Sequence, residues 1–569
     1  MNGKVIGIIA LVALAALLVA FGPPPKSDGD GNTLHVVATT APDSIDSGVS
    51  YLSMSWQIQV NVYNGLLTYR KVAGDTGTEL VPDLAEALPE ITDGGRTITF
   101  KVRKGVKFGP PANREVLPSD IKYTFDRNAL IPSQGAFYYS IIEGFDEFQK
   151  TRKGTVSGIV ADDEARTITF HLTRPDTTFL YVLAMPFSYA VPKGLPPKDM
   201  SLSGFSSPTG PYRFVKYDPA RGATLERNPA FKEWNPEATP NGKVDRIEIE
   251  FGVSDENSIT RIMQGKADVA LSAIPRSKLA YLLGSKEWKP YMHEHAISRT
   301  AYVWMNTKVA PFDNVKVRQA VNWAINRRAM VKLGGGASTP SSTILPPNMP
   351  GYTGEEAYPK ADMKLARKLI AESGITPGKV TIWHTTAPPS PDMAQYLQET
   401  LSQLGFEAKT RGVDGSAFYD IVGNEKNKTQ IGFGSWGADF PEGSNFIDVL
   451  FNSAHIDPHH SINLAWYGGM DKQIDAANRL MDIPARQKAW GELDLALQKD
   501  GPWAPISHGV QRNLMSKRYG NYVYHPVYDV LFSQATVDGS GTNNSKTHDF
   551  EVGSDEDSGS SDGSGGEDE

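Results

Sequence analysis

LVPDLAEALPEITDGGRTITFKVRKGVKFGPPANREVLPSDIKYTFDR, residues Leu80 to Arg127, carries three local signals in one stretch. In RTITFKV, Arg96 to Val102, β-branched and aromatic residues alternate with polar ones, the period of a half-buried strand. The apolar alternation runs on through Phe100, Val102, Val106 and Phe108 and is broken at Gly105, which predicts a hairpin with its basic side chains outward. In LPSDIKYTFDR, Ser119 or Asp120 stands where a helix cap belongs, and Ile121 and Phe125, four apart, make an inner face. Neither block sets a nucleophile beside a base, so the predicted role is architectural.

The same grammar recurs along the chain. TLHVVATT (Thr33 to Thr40), ARTITFHL (Ala165 to Leu172) and VDRIEIEF (Val244 to Phe251) read as strands. VKVRQAVNWAINR (Val315 to Arg327), ADMKLARKLIAESG (Ala361 to Gly374) and DMAQYLQETLSQLG (Asp392 to Gly405) space apolar residues three and four apart; the last two close on a glycine suited to a helix end. Helix, glycine and strand in succession, as in LIAESGITPGKVTIWH, is the logic of an α/β fold. RTITF occurs twice, at Arg96 and Arg166, with unlike flanks, which predicts two similar hairpin strands rather than a repeat. The acids of VADDEAR read as a hairpin turn.

Composition bounds the rest. The 569 residues exceed the usual domain size roughly three- to fourfold, so more than one core is expected. An apolar run from Val5 to Phe21 follows Lys4 and ends in GPPPKSDGDGN. It reads as an export signal, with an uncleaved membrane anchor as the other reading. Cysteine is absent, which excludes thiolate metal sites, thiol nucleophiles and lipid attachment, although LVAFG at Leu18 to Gly22 resembles a lipoprotein box with Phe21 in place of the cysteine. From 538 to 569 the chain holds ten acids and one lysine and reads as a disordered acidic tail; without it the net charge of -8 becomes about +1. The body has no basic field suited to nucleic acid.

The block Leu80 to Arg127 resembles the signature region of the extracellular solute-binding proteins, family 5, that feed oligopeptide, dipeptide and nickel ABC importers. The likeness continues in PTGPYRFVKYDPARGATLERNPAF (Pro208 to Phe231) and YVWMNTKVAPFDNVKVRQAVNWAINR (Tyr302 to Arg327), and spans about Thr33 to Phe532. The resemblance implies an α/β, type II-like periplasmic-binding-protein fold: two α/β lobes joined by two crossing segments, with an extra inserted α+β domain. Lobe I would comprise 33–63, 194–301 and 505–537, the inserted domain 64–193, and lobe II 302–504, with crossings near VWMNT and GPWAPIS. It implies peptide capture by hinge closure, a membrane-embedded ABC permease as partner, a monomer, and a place at the periplasmic or extracellular face of the cytoplasmic membrane. No cofactor or catalytic residue is expected.

The resemblance also assigns a ligand site. In GFGSWGADFPEGSNF, Gly432 to Phe446, the segment with Phe433, Trp436, Gly437, Ala438 and Phe440 would line the cleft on lobe II, and Asp439 would pair the α-ammonium of a peptide. Elementary physics points the same way, because a carboxylate set between Trp436 and Phe440 is costly unless a cation or several donors satisfy it. Gly434 and Gly437 would let a ligand backbone approach. The other reading is that Asp439 caps a local turn. Thr40 and Ala41, after the first strand, are weaker candidates on lobe I. The dipeptide-binding branch holds the peptide carboxylate with an arginine ahead of the helix matching DMAQYLQETL; from Val380 to Lys409 this chain has none, which favours longer peptides and leaves short sugars open.

Metal and enzyme readings are weaker. HIDPHHS offers His455, Asp457, His459 and His460, and MHEH offers His293 and His295 on one strand face, but the former falls in a loop read as solvated. KLGGGAST (Lys332 to Thr339) lacks the ending of a phosphate loop, and there is no GxSxG elbow, no HExxH and no GxGxxG after a strand. A regulatory or structural relative acting through protein contacts, with the acidic tail as its device, is the alternative to a transport receptor.

Overall fold

The computed structural model describes residues 32–538 apart from 134 and 337. The apolar run at Val5 to Phe21 and the acidic tail beyond Asp538 lie outside the described residues.

Three sheets organise the chain. The first, in lobe I, has the order Val269–Ala270, Thr33–Val37, Arg246–Glu250, Gly222–Arg227, Tyr212–Asp218. Its first three strands are parallel and the rest antiparallel. Alternation decides its faces: Leu34, Val36, Ile247 and Ile249 enter one core, while Val37 turns to the helices Asp255–Met263 and Arg276–Gly284 on the other.

The second sheet belongs to the inserted domain and runs Glu90–Thr92, Thr97–Lys101, Thr167–His171, Ile159–Asp162. The two RTITF segments are neighbours in it, paired antiparallel with Ile98 opposite Phe170 and Phe100 opposite Ile168. Thr99 and Thr169 join hydroxyls at 3.0 Å on the outer face. The four apolar side chains are buried against Ile121 and Phe125 of the helix Pro118–Asn128; Phe125 meets Phe170 edge-on at 5.2 Å. VADDEAR is the turn between the last two strands, closed by the Ala165 amide donating to Asp162 at 2.8 Å. Of the two cap candidates, Asp120 performs the role: its carboxylate accepts the Leu117 amide at 2.9 Å and holds both terminal nitrogens of Arg114, while Ser119 donates to Asp163.

The hairpin expected at Gly105 is not formed. The strand before it pairs with Glu90–Thr92 and Thr167–His171, and the run after it pairs instead with 114–116, through Val116 to Val106 and Phe108 to Arg114. Gly105 still turns the chain, at φ +81°, but between two different partners.

The lobe II sheet has the order Ser338–Pro340, Trp503–Leu514, Met292–Met305, Ile431–Gly437, Lys379–Thr385, Glu407–Val413. Val315–Ala324, Met363–Glu372 and Ser390–Gln403, the three helices expected from spacing, supply one face; Ser444–Phe451 and Ile483–Asp500 supply the other. Met292–Met305 and Trp503–Leu514 overlap the stretches VWMNT and GPWAPIS expected to cross between the lobes. They form one long antiparallel ribbon that leaves lobe I beside Met515 and enters this sheet. The pairing is broken between Ala296/Val510 and Thr300/His508, upstream of VWMNT, where Ile297, Ser298 and Arg299 face Gly509 alone. Such a bulge bends a strand and re-aims its side chains.

Inserted domain and lobe I are pinned together by a buried ion pair. The Arg127 guanidinium donates to both carboxylate oxygens of Asp46, at 3.0 and 2.5 Å, and to the carbonyls of Pro196 and Lys198.

Candidate functional site

Glycines in Ile431–Gly437 answer first to packing. A Cβ at Gly432 would lie 2.5 Å from Trp304, and one at Gly434 2.6 Å from Tyr302, so Gly434 is spent on the neighbouring strand and not on a ligand. Gly437 is open: a methyl there would meet only the Arg299 side chain, 3.6 Å from Nε, and the Ser298 carbonyl, 3.9 Å away. The turn beyond it is tied from two sides. Asn445 Oδ1 accepts the Asp439 amide at 3.0 Å and Trp436 Nε1 at 3.2 Å, and the Ala438 amide donates to the Ser298 carbonyl at 2.8 Å. Beneath it the buried Glu442 accepts Arg486 Nε at 3.0 Å and Trp490 Nε1 at 2.6 Å.

Asn445 therefore closes the turn, and the Asp439 side chain faces away from it. Tyr51 of lobe I donates its hydroxyl to Oδ1 and Tyr138 of the inserted domain donates to Oδ2, each at 2.7 Å. Burial and the negative charge of Asp439 push both phenols far above their usual range, which keeps them protonated and donating. Next to it Phe440 crosses the cleft, stacking on Tyr181 at 5.9 Å within the core of the inserted domain.

Asp439 and Phe440 open on a cavity of about 260 Å³. Its walls are Ser53 and Trp56 of lobe I, Ile297 to Arg299 of the bulge, Gly437 to Pro441 of the turn, Gln511 of the second crossing strand, and Tyr524, Pro526, Val527 and Asp529. The last four belong to a hairpin of the strands Tyr524–His525 and Asp529–Val530, which leaves Asp529 in the left-handed region at φ 57°. Tyr524 donates its hydroxyl to Asp529 at 3.1 Å, and burial pushes this carboxyl up to about 6.

The expected site residues are thus partly gathered. Asp439, Gly437, Ala438 and Phe440 line the cavity. Trp436 packs toward the lobe II core on one face of its strand and Phe433 toward the helices on the other. Thr40 is exposed and Ala41 packs on the lobe I core, and neither reaches the cavity. Tyr51, Tyr138, Arg299 and Asp529 carry no local motif and are brought in from four distant segments.

The histidines have other partners. His455 binds Asp448 and His460 binds Asp420, each at 3.0 Å, and among the described residues no group of three or more His, Cys, Asp or Glu is placed to hold a metal. His293 and His295 stack with Tyr522 and Tyr524, and burial pushes them down to about 4 and about 3. The glycine run Gly334–Gly336 ends the helix Arg327–Gly334, with Gly335 at φ 117°. The cavity pairs no nucleophile with a base; what it offers is two carboxylates, one guanidinium and apolar walls, an arrangement that binds.

Comparison with known proteins agrees. The family model described as "Bacterial extracellular solute-binding proteins, family 5 Middle" matches residues 79–458. The chain is 29% identical over 523 residues to heme-binding protein A of Haemophilus influenzae, covering 88% of this chain and 90% of the relative. It is 25% identical to di/tripeptide-binding protein 1 of Pseudomonas aeruginosa, over 82% and 86% of the two chains. Among solved structures, the clavulanic acid biosynthesis oligopeptide binding protein 2 superposes with a TM-score of 0.81 at 23% identity, over 89% of this chain and 95% of that one. The fold is accordingly the type II-like one of two lobes and an inserted domain. No helix among the described residues is long and apolar enough to cross a membrane. With the matched family model spanning most of its body, this chain belongs to the bacterial extracellular solute-binding proteins of family 5, which are binding proteins and not enzymes.

Proposed function

We propose that this protein is the extracytoplasmic receptor of an ABC importer, that it captures peptides by closing its two lobes, and that Asp439 pairs the ligand's ammonium. One observation carries the reading: the Asp439 carboxylate stands between the lobes with both oxygens held by neutral tyrosine hydroxyls, and no cation among the described residues pairs with it. A ligand ammonium supplies the charge and up to three donors. A peptide held by Asp439 and Gly437 of lobe II and resting on Trp56 of lobe I touches both sides, and so favours the closed state. The names of the similar proteins, one for di- and tripeptides and one for oligopeptides, support the same class.

The test is a thermal-shift and calorimetry screen of the full chain against pooled short peptides, with oligosaccharides, nickel and haemin as competitors for the assignment. A ligand at 100 times its Kd adds roughly 2.7 kcal/mol of stability. The expected result is a peptide hit that disappears on N-acetylation and weakens by about 2 kcal/mol or more in Asp439→Ala. A hit confined to sugars, metal or haemin overturns the substrate, and an unresponsive cleft favours the non-transport relative.

A further inference from the structure

The cavity carries three charges, and the ammonium reading uses one of them. The others are Arg299 and Asp529, the only further charged side chains in its walls. Both reach it through irregular backbone: Arg299 by the bulge opposite Gly509, Asp529 by its left-handed turn. Left-handed geometry in a residue other than glycine persists only where the surroundings enforce it, and such positions cluster at ligand sites. Among the described residues the Arg299 side chain makes no hydrogen bond or ion pair, while its backbone is bonded to His508 and pairs with Gly437. The Asp529 carboxylate accepts one hydrogen bond, from the Tyr524 hydroxyl on Oδ1, and the residue lines the cavity. The two are not paired with each other, although the Arg299 charge is near enough to favour ionised Asp529.

We propose that Asp529 is a second cation-binding carboxylate and Arg299 the carboxylate-binding group of the same cavity, so that the cleft selects short peptides bearing a basic side chain. The inference rests on the reading of Asp439. Charge balance makes the argument: a neutral-side-chain peptide matches its ammonium to Asp439 and its carboxylate to Arg299, and leaves Asp529 desolvated and unmatched. A lysine or arginine side chain removes that deficit; a glutamate side chain deepens it. The missing arginine between Val380 and Lys409 ceases to argue against short ligands, because the cavity draws its guanidinium from another strand.

Calorimetry of the full chain with three tripeptides tests this: alanyl-lysyl-alanine, its norleucine counterpart of equal length without the charge, and its glutamyl counterpart. Wild-type protein is expected to prefer lysine over norleucine on the order of tenfold, with glutamate weakest. Asp529→Asn, which keeps the size and tolerates the same backbone, is expected to erase the preference, bringing the lysyl and norleucyl peptides to equal affinity. C-terminal amidation is expected to weaken wild type and to leave Arg299→Gln unaffected. Equal binding of the lysyl and norleucyl peptides to wild type, or a preference that survives Asp529→Asn, overturns the proposal. If N-acetylation still abolishes binding in that case, Asp439 keeps its role and only the Asp529 assignment falls. Failure of every peptide to bind overturns both.

Discussion

At the scale of a residue, Asp529 sets affinity against stability. Its folded carboxyl sits near 6 because it is buried, with Tyr524 and Arg299 only partly compensating. The shift is upward, so the stabilising contribution is complete below the unfolded value near 4 and is lost as pH rises through 6. At pH 7.5 the folded protein holds an ionised acid in a poorly solvated place. A shift of about two units has a ceiling near 3 kcal/mol, and the residue's remaining solvent contact reduces it, so Asp529→Asn is expected to stabilise the ligand-free protein by about 1–2 kcal/mol at pH 7.5. The gain should shrink toward zero near pH 4, read by chemical denaturation across that range. A binding group that costs stability is the ordinary signature of a functional site.

At the scale of an element, the crossing ribbon does more than connect. Its bulge exists because Gly509 has no side chain: a Cβ there would lie 2.6 Å from Ile297 Cγ1. Gly509→Ala is therefore expected to push Ile297 aside, shift Arg299 and the Ser298 carbonyl that holds Ala438, and lose about 1–3 kcal/mol of stability through overpacking. Peptide affinity should fall with it, and calorimetry beside urea denaturation separates the two losses. The sequence made the strands and helices of this region readable through their periodicity. The bulge was not readable, because its only local mark is one glycine among 53, and it exists only relative to a partner strand some 210 residues away. Gly105 teaches the converse: a turn was legible, but which strands flank it was decided by partners on either side.

At the scale of the whole molecule, closure needs rigid bodies. Arg127 and Asp46, each 1% exposed, bind the inserted domain to lobe I, so Tyr51 and Tyr138 approach Asp439 as one surface. Removing one partner strands a buried charge, and Asp46→Ala is expected to cost about 3–5 kcal/mol of unfolding free energy by denaturant titration. The same variant should weaken peptide binding even though Asp46 lies outside the cavity walls, since Tyr138 would lose its fixed relation to Tyr51.

The sequence by itself determined the α/β character, the strands RTITF, the helices around Ile121, Val317 and Leu397, the family, and Asp439 as an acid in apolar company. Those signals are local: period, capping and residue type act within a turn or a strand. Only the tertiary structure decided that the two RTITF strands pair with each other, that Gly434 makes room for Tyr302, that Thr40 and Ala41 stand apart from the cavity, and that Tyr51 and Tyr138 meet at Asp439 while Arg299 and Asp529 line the cavity beside it. These four come from separate segments, and no spacing rule relates residues brought together only when two lobes and an inserted domain fold against one another.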